Sequence, residues 1–506
     1  MKGLAKKHLM VFDAGSGGGK CLVFDTEGNQ VAASFEPWSR AKWTPALGWR
    51  SLVSAAHKVL SHPKVSPEQI ASITSTSMRE EFVLVDKEEN EYFIPFGEPI
   101  FPEGAAIEER YGEEMYQSSG HWPNAFMPTP KLVWFKKNHP KEFDKLKFFL
   151  MISDWILYKL CGEPAVEPSG VCETCLFDLE KSDWSDLLLS KVDLPREIFP
   201  EVRENGTLLG SVTDETAQET GLLTGTPVVI GGADTQCGLI GSASIEDGQT
   251  TAVAGTTTPV QMVLPKVLID PKRRLWTNSH AVPRKWILES NAGVTGWLYR
   301  WVRDSLGDLE IAASQATGID AYDLLNLEAE RVPPGSNGML AYLGASIMNV
   351  SQKAPSPTGI IGLEAFSREG SSGKGEIARA VLESTCFAVR ANCEQLEEVS
   401  GNVIQELVFC GGASRSMLWA QIQSDVLNRP VRVPLLKEAT ALGASILAGV
   451  GVEIYDSISD AVEHLVRWEP TIKPHRDTAS VYERHYRRWI HGYHRLRELA
   501  DLTALP

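Results

Sequence analysis

The chain is short of everything that would tie it to a membrane, a nucleic acid or an oxidising compartment. No apolar run reaches bilayer length. The run at 9–12 follows Lys2, Lys6 and Lys7 but is cut off by Asp13, so it reads as neither signal peptide nor membrane span. Positive charge is in deficit, with 49 Lys and Arg against 65 Asp and Glu and a formal net charge of −16. That balance argues against broad binding to nucleic acid or anionic membrane. Cysteine is sparse, eight residues at 21, 161, 172, 175, 237, 386, 393 and 410. Only Cys172 and Cys175 have a metal-ligand spacing, and no second pair completes a site. Reduced thiols in a cytoplasmic protein are expected.

What is present is ordinary globular material in quantity. A chain of 506 residues, 43% hydrophobic, predicts at least two large domains, each with its own core. The expected division is 1–245, 246–480 and a closing helix at 481–506. Strands at 9–12, 21–24 and 30–34, joined by tight turns, predict an antiparallel start to a sheet. Helical patterns at 52–60 and 145–160 alternate with strands at 70–75 and 82–86, which gives an α/β class. The stretch 90–130 is rich in Pro, Gly and aromatic residues without a period, and is expected to be irregular and to carry substrate contacts. Strand, Gly/Thr turn, strand occurs near 10 and again near 252, which points to a duplicated architecture. The helix at 480–499 has a stripe of Tyr482, Tyr486, Trp489, Tyr493 and Leu496, with Arg and His between them as a solvated face.

Chemistry concentrates at strand ends. Asp13-Ala14-Gly15-Ser16-Gly17-Gly18-Gly19-Lys20 offers glycines able to take positive φ, bare N–H groups for phosphate oxygens, a Ser16 hydroxyl and the Lys20 cation. Cys21 stands where a P-loop needs Ser or Thr, and Lys20 where a dinucleotide fingerprint needs glycine. Asp234 ends the apolar strand at 227–230, a position from which a carboxylate can take a proton from a substrate hydroxyl. Another strand runs into Gly411-Gly412-Ala413-Ser414, followed by a helix at 417–427. Glu438-Ala439-Thr440-Ala441-Leu442-Gly443-Ala444 starts a small-residue helix able to approach another backbone closely. In Ser77-Met78-Arg79-Glu80, Arg79 offers a fork of donors and Glu80 offers acceptors, a pair suited to clamping adjacent hydroxyls.

The segments DAGSGGGK, GGADTQCG, AGTTTP, 379–383, FCGGASRSMLWAQIQSDVLNRPV and KEATALGA occur in one order along the chain. In that order they resemble the FGGY carbohydrate kinases over essentially the whole length. The resemblance implies two ribonuclease-H-like α/β domains of the actin-like ATPase and sugar kinase superfamily, with ATP in an interdomain cleft. It implies Asp234 as catalytic base and Asp13 as the carboxylate associated with Mg²⁺. Ser16, Gly17 and Lys20 match the first phosphate loop, Gly255, Thr256 and Thr257 the second, and Gly411, Gly412, Ala413 and Ser414 the adenosine turn. Met78, Arg79, Glu80 and Asp154 join Asp234 as substrate ligands. Ser77–Glu80, 151–155, 206–210, 332–336 and 465–469 most resemble autoinducer-2 kinases. Autoinducer-2 is therefore the expected acceptor, ahead of a ketopentose such as xylulose and, on Arg79-Glu80 alone, glycerol. Two stretches depart from the pattern, Phe96–Ile100 and Thr257-Thr258. A non-catalytic sugar-binding regulator is the competing class, and the joint presence of Asp13, Lys20 and Asp234 speaks against it. No nucleic-acid or membrane partner is expected, and a homodimer is compatible with the resemblance.

Overall fold

The computed structural model describes residues 7–95, 98, 100–352, 357–364 and 373–503. Phe96, Gly97 and Pro99 of the departing segment lie outside them. The chain forms two compact units. The first is Met1–Ile245 with Val263–Ile287 and Glu438–Val466; the second is Glu246–Met262, Leu288–Lys437 and Arg467–Pro506.

The first unit is built on a sheet whose central strands are buried along their length. Strand β1 (His8–Gly15) pairs antiparallel with β2 (Gly18–Asp25), and β2 with β3 (Gln30–Pro37). Strand β4 (Ile70–Ser77) lies parallel to β1 on its other side. Every residue of β4 is buried, as expected for a strand covered on both faces. Pro227–Val229 and then Leu208–Ser211 extend the sheet beyond β4. The helix Pro45–Leu60 starts with proline at its first position, and the Thr44 side chain accepts the Leu47 N–H at 3.2 Å. The helix Ala439–Val450 returns from far along the chain to pack against β1 and β4, where the Ser72 hydroxyl donates to the Ala448 carbonyl at 3.0 Å.

Three local expectations change. Residues 146–151 form a strand, Leu146–Met151, antiparallel to Phe82–Asp86, and the helix begins only at Ile152. Within 90–130, Phe101–Ser119 is a helix closed by Gly120 at φ 73, where an added Cβ would sit 2.3 Å from the Thr277 carbonyl. None of Gly15, Gly17, Gly18 and Gly19 lies in the left-handed region, and only Gly18 and Gly19 are needed for space. A Cβ on Gly18 would meet the Glu36 carbonyl at 2.5 Å, and one on Gly19 would meet Leu52 and Trp38 at 2.8 Å.

The second unit repeats the strand pattern. Thr250–Val253 is antiparallel to Pro259–Leu264 and parallel to Leu407–Cys410, as β1 is to β2 and β4. The helix Arg476–Thr503 buries Tyr482, Tyr486, Trp489 and Tyr493. The Tyr482 hydroxyl accepts from Arg379 Nη2 at 2.8 Å and donates to Glu383 Oε1 at 2.9 Å, so the 379–383 segment fastens this helix. All eight cysteines are buried, and none is joined to another in a disulfide. Among the described residues no helix is long and apolar enough to cross a membrane.

Candidate active site

Sheet register assembles the first group. Asp13 on β1 is opposite Thr76 on β4, and Thr76 is opposite Gly232 of the short strand Gly232–Ala233. The helix Asp234–Gly241 starts on the next residue, so Asp13 and Asp234 leave the same edge of the sheet. The carboxyl ends of parallel strands are where α/β sheets open onto ligands. The Thr235 N–H donates to Asp234 Oδ1 at 2.7 Å, and the Thr440 hydroxyl to the Asp234 carbonyl at 3.1 Å.

Burial pushes the Asp234 carboxyl up to about 7, with Arg79 opposing and Asp13 adding to the rise. The residue keeps part of its surface open, as a base that must meet a hydroxyl requires. Burial likewise pushes Asp13 up to about 6, against the pull of Lys20, whose ammonium is 4.0 Å away. Lys20 Nζ also donates to Glu438 Oε2 at 2.7 Å. Ser16 and Gly17 form the exposed tip of the β1–β2 hairpin. Glu438 stood in a stretch singled out only for its small residues, and its role as partner of Lys20 emerges from the fold.

Beneath Asp234 lies a buried polar network. Glu167 Oε2 accepts from the Ser169 N–H at 2.7 Å, the Ser169 hydroxyl at 2.6 Å and Asn205 Nδ2 at 2.7 Å. Ser169 Oγ in turn accepts the Ala233 N–H at 3.0 Å. Asp154 is 2% exposed in this region, and burial followed by the charge of Glu167 raises its carboxyl well above the usual range.

A cavity of the first unit, about 300 Å³, is lined by Arg40, Glu80, Glu81, Asn124, Lys131 and Trp276 among others. Of the expected acceptor ligands only Glu80 lines it; Met78, Arg79, Asp154 and Asp234 do not. The Met78 N–H donates to the Ala14 carbonyl at 3.0 Å, which ties this stretch to the phosphate turn. Glu80 takes φ 69, an uncommon conformation for a residue with a side chain. Arg40 Nη2 donates to Glu81 Oε1 at 2.9 Å, and Lys131 Nζ donates to the Glu80 carbonyl at 2.8 Å. Arg79 Nη1 donates to Glu173 Oε1 at 2.6 Å, and its guanidinium lies 6.0 Å from the Trp276 ring. Interleaved donors and acceptors beside an aromatic wall suit a small molecule carrying several hydroxyls. Arg40, Lys131 and Trp276 carried no mark in the sequence, being single residues of common type outside any motif.

The second unit has a cavity of about 770 Å³ lined by Gly255, Thr256, Gly412, Ala413, Tyr299 and Trp419 among others. The Ala413 N–H donates to the Ala254 carbonyl at 3.1 Å, which brings the two turns together. Gly411 takes φ 88, and a Cβ there would lie 2.6 Å from the same carbonyl, so this position needs glycine. Thr257, Gly411 and Ser414 do not line the cavity. Ser414 is buried and donates its hydroxyl to the Gly411 carbonyl at 2.8 Å, shaping the turn from behind. Tyr299 stacks on Tyr322 with ring centroids 5.8 Å apart and meets Trp419 edge-on at 5.5 Å. These aromatics form a wall that a planar base can use. In the sequence they pass for core residues.

Residues 8–241 match the N-terminal domain of the FGGY family of carbohydrate kinases, and residues 250–452 match its C-terminal domain. The chain is 34% identical over 505 residues to an autoinducer-2 kinase of Klebsiella pneumoniae subsp. pneumoniae, covering 95% of this chain and 93% of that one. It is 32% identical over 517 residues to an autoinducer-2 kinase of Salmonella typhimurium, covering 98% and 95%. Among solved structures, a xylulose kinase from Rhodospirillum rubrum superposes with a TM-score of 0.84 at 24% identity, covering 98% of this chain and 100% of that one.

Proposed function

Because the chain belongs to the FGGY family of carbohydrate kinases, we propose that it transfers the γ-phosphoryl group of ATP to a hydroxyl of autoinducer-2, a small hydrated dihydroxypentanedione. Membership makes the protein a phosphotransferase with ATP as donor and an alcohol group as acceptor. The observation that carries the mechanism is the strand register that sets Asp13 and Asp234 on one sheet edge, with Asp234 pushed to about 7 by burial. A base with that affinity is half ionised near neutrality and holds a proton firmly once it has one.

In this reading Asp234 takes the proton of the acceptor hydroxyl as that oxygen bonds to the γ-phosphorus and the bridging oxygen departs with ADP. Lys20 and the hairpin tip at Ser16 and Gly17 neutralise and orient phosphate oxygens, with Lys20 leaving Glu438 to do so. Gly255, Thr256 and Thr257 form the second phosphate turn. Gly411, Gly412, Ala413 and Ser414 shape the seat of the adenosine. Arg79 and Glu80 clamp acceptor hydroxyls. Asp13 suits Mg²⁺ carried in on the phosphates, since it offers one buried carboxylate, and among the described residues no cluster of three His, Cys, Asp or Glu could hold an ion alone. Bound there, Mg²⁺ would spread the charge that builds on the transferring group.

Autoinducer-2 is favoured by relatives of that name over nearly the whole length, and by a cavity of alternating cations and carboxylates sized for a small polyhydroxyl compound. The test is ADP release with autoinducer-2, D-xylulose and glycerol as acceptors. The expected result is a kcat/KM for autoinducer-2 about tenfold or more above the others, a margin that one well-made hydrogen bond supplies. A larger kcat/KM for D-xylulose or glycerol overturns the choice of acceptor.

A further inference from the structure

His121 is completely buried, just past the end of the helix Phe101–Ser119. Its Nδ1 lies 2.9 Å from the Ser119 carbonyl, and a carbonyl only accepts, so Nδ1 carries a hydrogen. Its Nε2 faces Glu173 Oε2 at 3.4 Å, and neither atom has a hydrogen-bond partner elsewhere among the described residues. A neutral ring would therefore set a lone pair against a carboxylate oxygen in a dry interior. A second ring proton turns that clash into an ion pair. The other oxygen of Glu173 receives Arg79 at 2.6 Å. Trp276 stacks on His121 with centroids 5.5 Å apart and an interplanar angle of 28°, and also lies beside Arg79 and lines the acceptor cavity. An indole face favours a cation over a neutral ring.

We infer that His121 is a buried imidazolium which, through Glu173, fixes the Arg79 fork beside Trp276 of the acceptor cavity, making His121 and Glu173 positioning residues for substrate recognition. The substrate half of this inference rests on Arg79 being an acceptor ligand. Electrostatics agree in direction: burial lowers the affinity of His121 for its proton, but Glu173 more than compensates and the net shift is upward, with Arg79 opposing. Burial alone would raise Glu173, and Arg79 and His121 together hold it below the usual carboxylate range. The other charged groups around this cluster are Glu80, Glu81, Lys131, Arg40 and Asp234. As pH rises and the imidazolium loses its proton, Glu173 is left facing a lone pair, and the carboxylate that holds Arg79 is no longer fixed on its other side. Acceptor affinity then falls, while ATP affinity, to which neither His121 nor Arg79 is assigned, does not.

The experiment measures KM for autoinducer-2, KM for ATP and kcat between about pH 6 and 9 in the wild type, Arg79→Ala, His121→Gln and Glu173→Gln. The expected outcome is a rise of about tenfold in acceptor KM for His121→Gln and Glu173→Gln, the scale of one charge-assisted contact, with ATP KM unchanged. In the wild type the acceptor KM climbs with pH, and in His121→Gln that climb is absent. If Arg79→Ala raises the acceptor KM while His121→Gln and Glu173→Gln match the wild type, the positioning role is overturned. If Arg79→Ala leaves the acceptor KM unchanged, the site reading falls and the substrate half of the inference with it. The protonation half is read without substrate from ¹⁵N spectra of histidine-labelled protein near neutral pH. The His121 signals are identified by their loss in His121→Gln or, should that variant not fold, by their shift in Glu173→Gln. Two protonated ring nitrogens support the inference, and a ring protonated at Nδ1 alone overturns it.

Discussion

Asp234 is the residue at which catalysis and stability oppose each other. Its carboxyl is pushed to about 7 chiefly by burial, so the folded protein binds this proton far more tightly than the unfolded chain does. For a carboxyl with a raised folded value, folding is unhindered below its unfolded value, and the burden grows as pH climbs from there and levels off above the folded value. Asp234→Asn should therefore stabilise the ligand-free protein at pH well above 7, by on the order of 1–3 kcal/mol, with the gain shrinking toward acid. Urea unfolding of both proteins across pH checks this, and an equal midpoint at all pH values would show that the carboxylate is not desolvated. The same substitution should lower kcat roughly 100-fold or more, the scale of a positioned base, while nucleotide binding by calorimetry stays intact. Near-normal turnover would remove Asp234 from the role of base. In the wild type, kcat at saturating acceptor should rise with pH as this proton leaves, while kcat/KM for the acceptor passes through a maximum because the acceptor KM climbs at higher pH.

At the scale of elements, the placement of Asp234 depends on a crossing of two helices with no room for a side chain. A Cβ on Gly443 would lie 1.8 Å from the Cys237 carbonyl, and one on Gly241 would lie 1.8 Å from the Ala439 carbonyl. The helices Asp234–Gly241 and Ala439–Val450 thus meet backbone to backbone. Gly443→Ala must drive them apart and should cost about 3 kcal/mol or more, with kcat reduced because Asp234 is the first residue of one of them. Gly162 at φ 76 has open space where a Cβ would go, so Gly162→Ala should cost only about 1 kcal/mol, from backbone strain alone. Chemical denaturation of the pair decides, and equal losses would argue against the close crossing. This crossing was legible in the run of small residues at 439–444. The strand Leu146–Met151 was not, because apolar residues at 146, 149 and 150 fit a helical stripe too, and only pairing with Phe82–Asp86 selects extended backbone. Asp13, Lys20 and Asp234 stood out because each sits in a short contiguous motif at a strand end. Trp276, Lys131 and Tyr299 reach their cavities from segments outside the motifs, and nothing local marks them.

For the molecule as a whole, the path of the chain limits where it can be divided. The first unit ends its long opening run at Ile245, but it also needs Val263–Ile287 and Glu438–Val466. The first of these insertions supplies the Leu275 carbonyl that receives the buried Tyr116 hydroxyl at 2.7 Å, together with Trp276 of the acceptor cavity. The second supplies the helix whose Ala448 packs with Leu9 and Ala71, and the Thr440 hydroxyl bonded to Asp234. A fragment of residues 1–245 would expose the apolar surface of β1 and β4 and remove the carbonyls that receive the Tyr116 and Ser72 hydroxyls. The lost hydrogen bonds and the exposed apolar area together are on the scale of a domain's entire stability. That fragment should show no near-ultraviolet circular dichroism and no cooperative urea transition, despite containing every motif of the first phosphate turn and the base. A sharp transition with native-like aromatic signals would show the returning segments to be dispensable, and with them the account of how Asp234 is held.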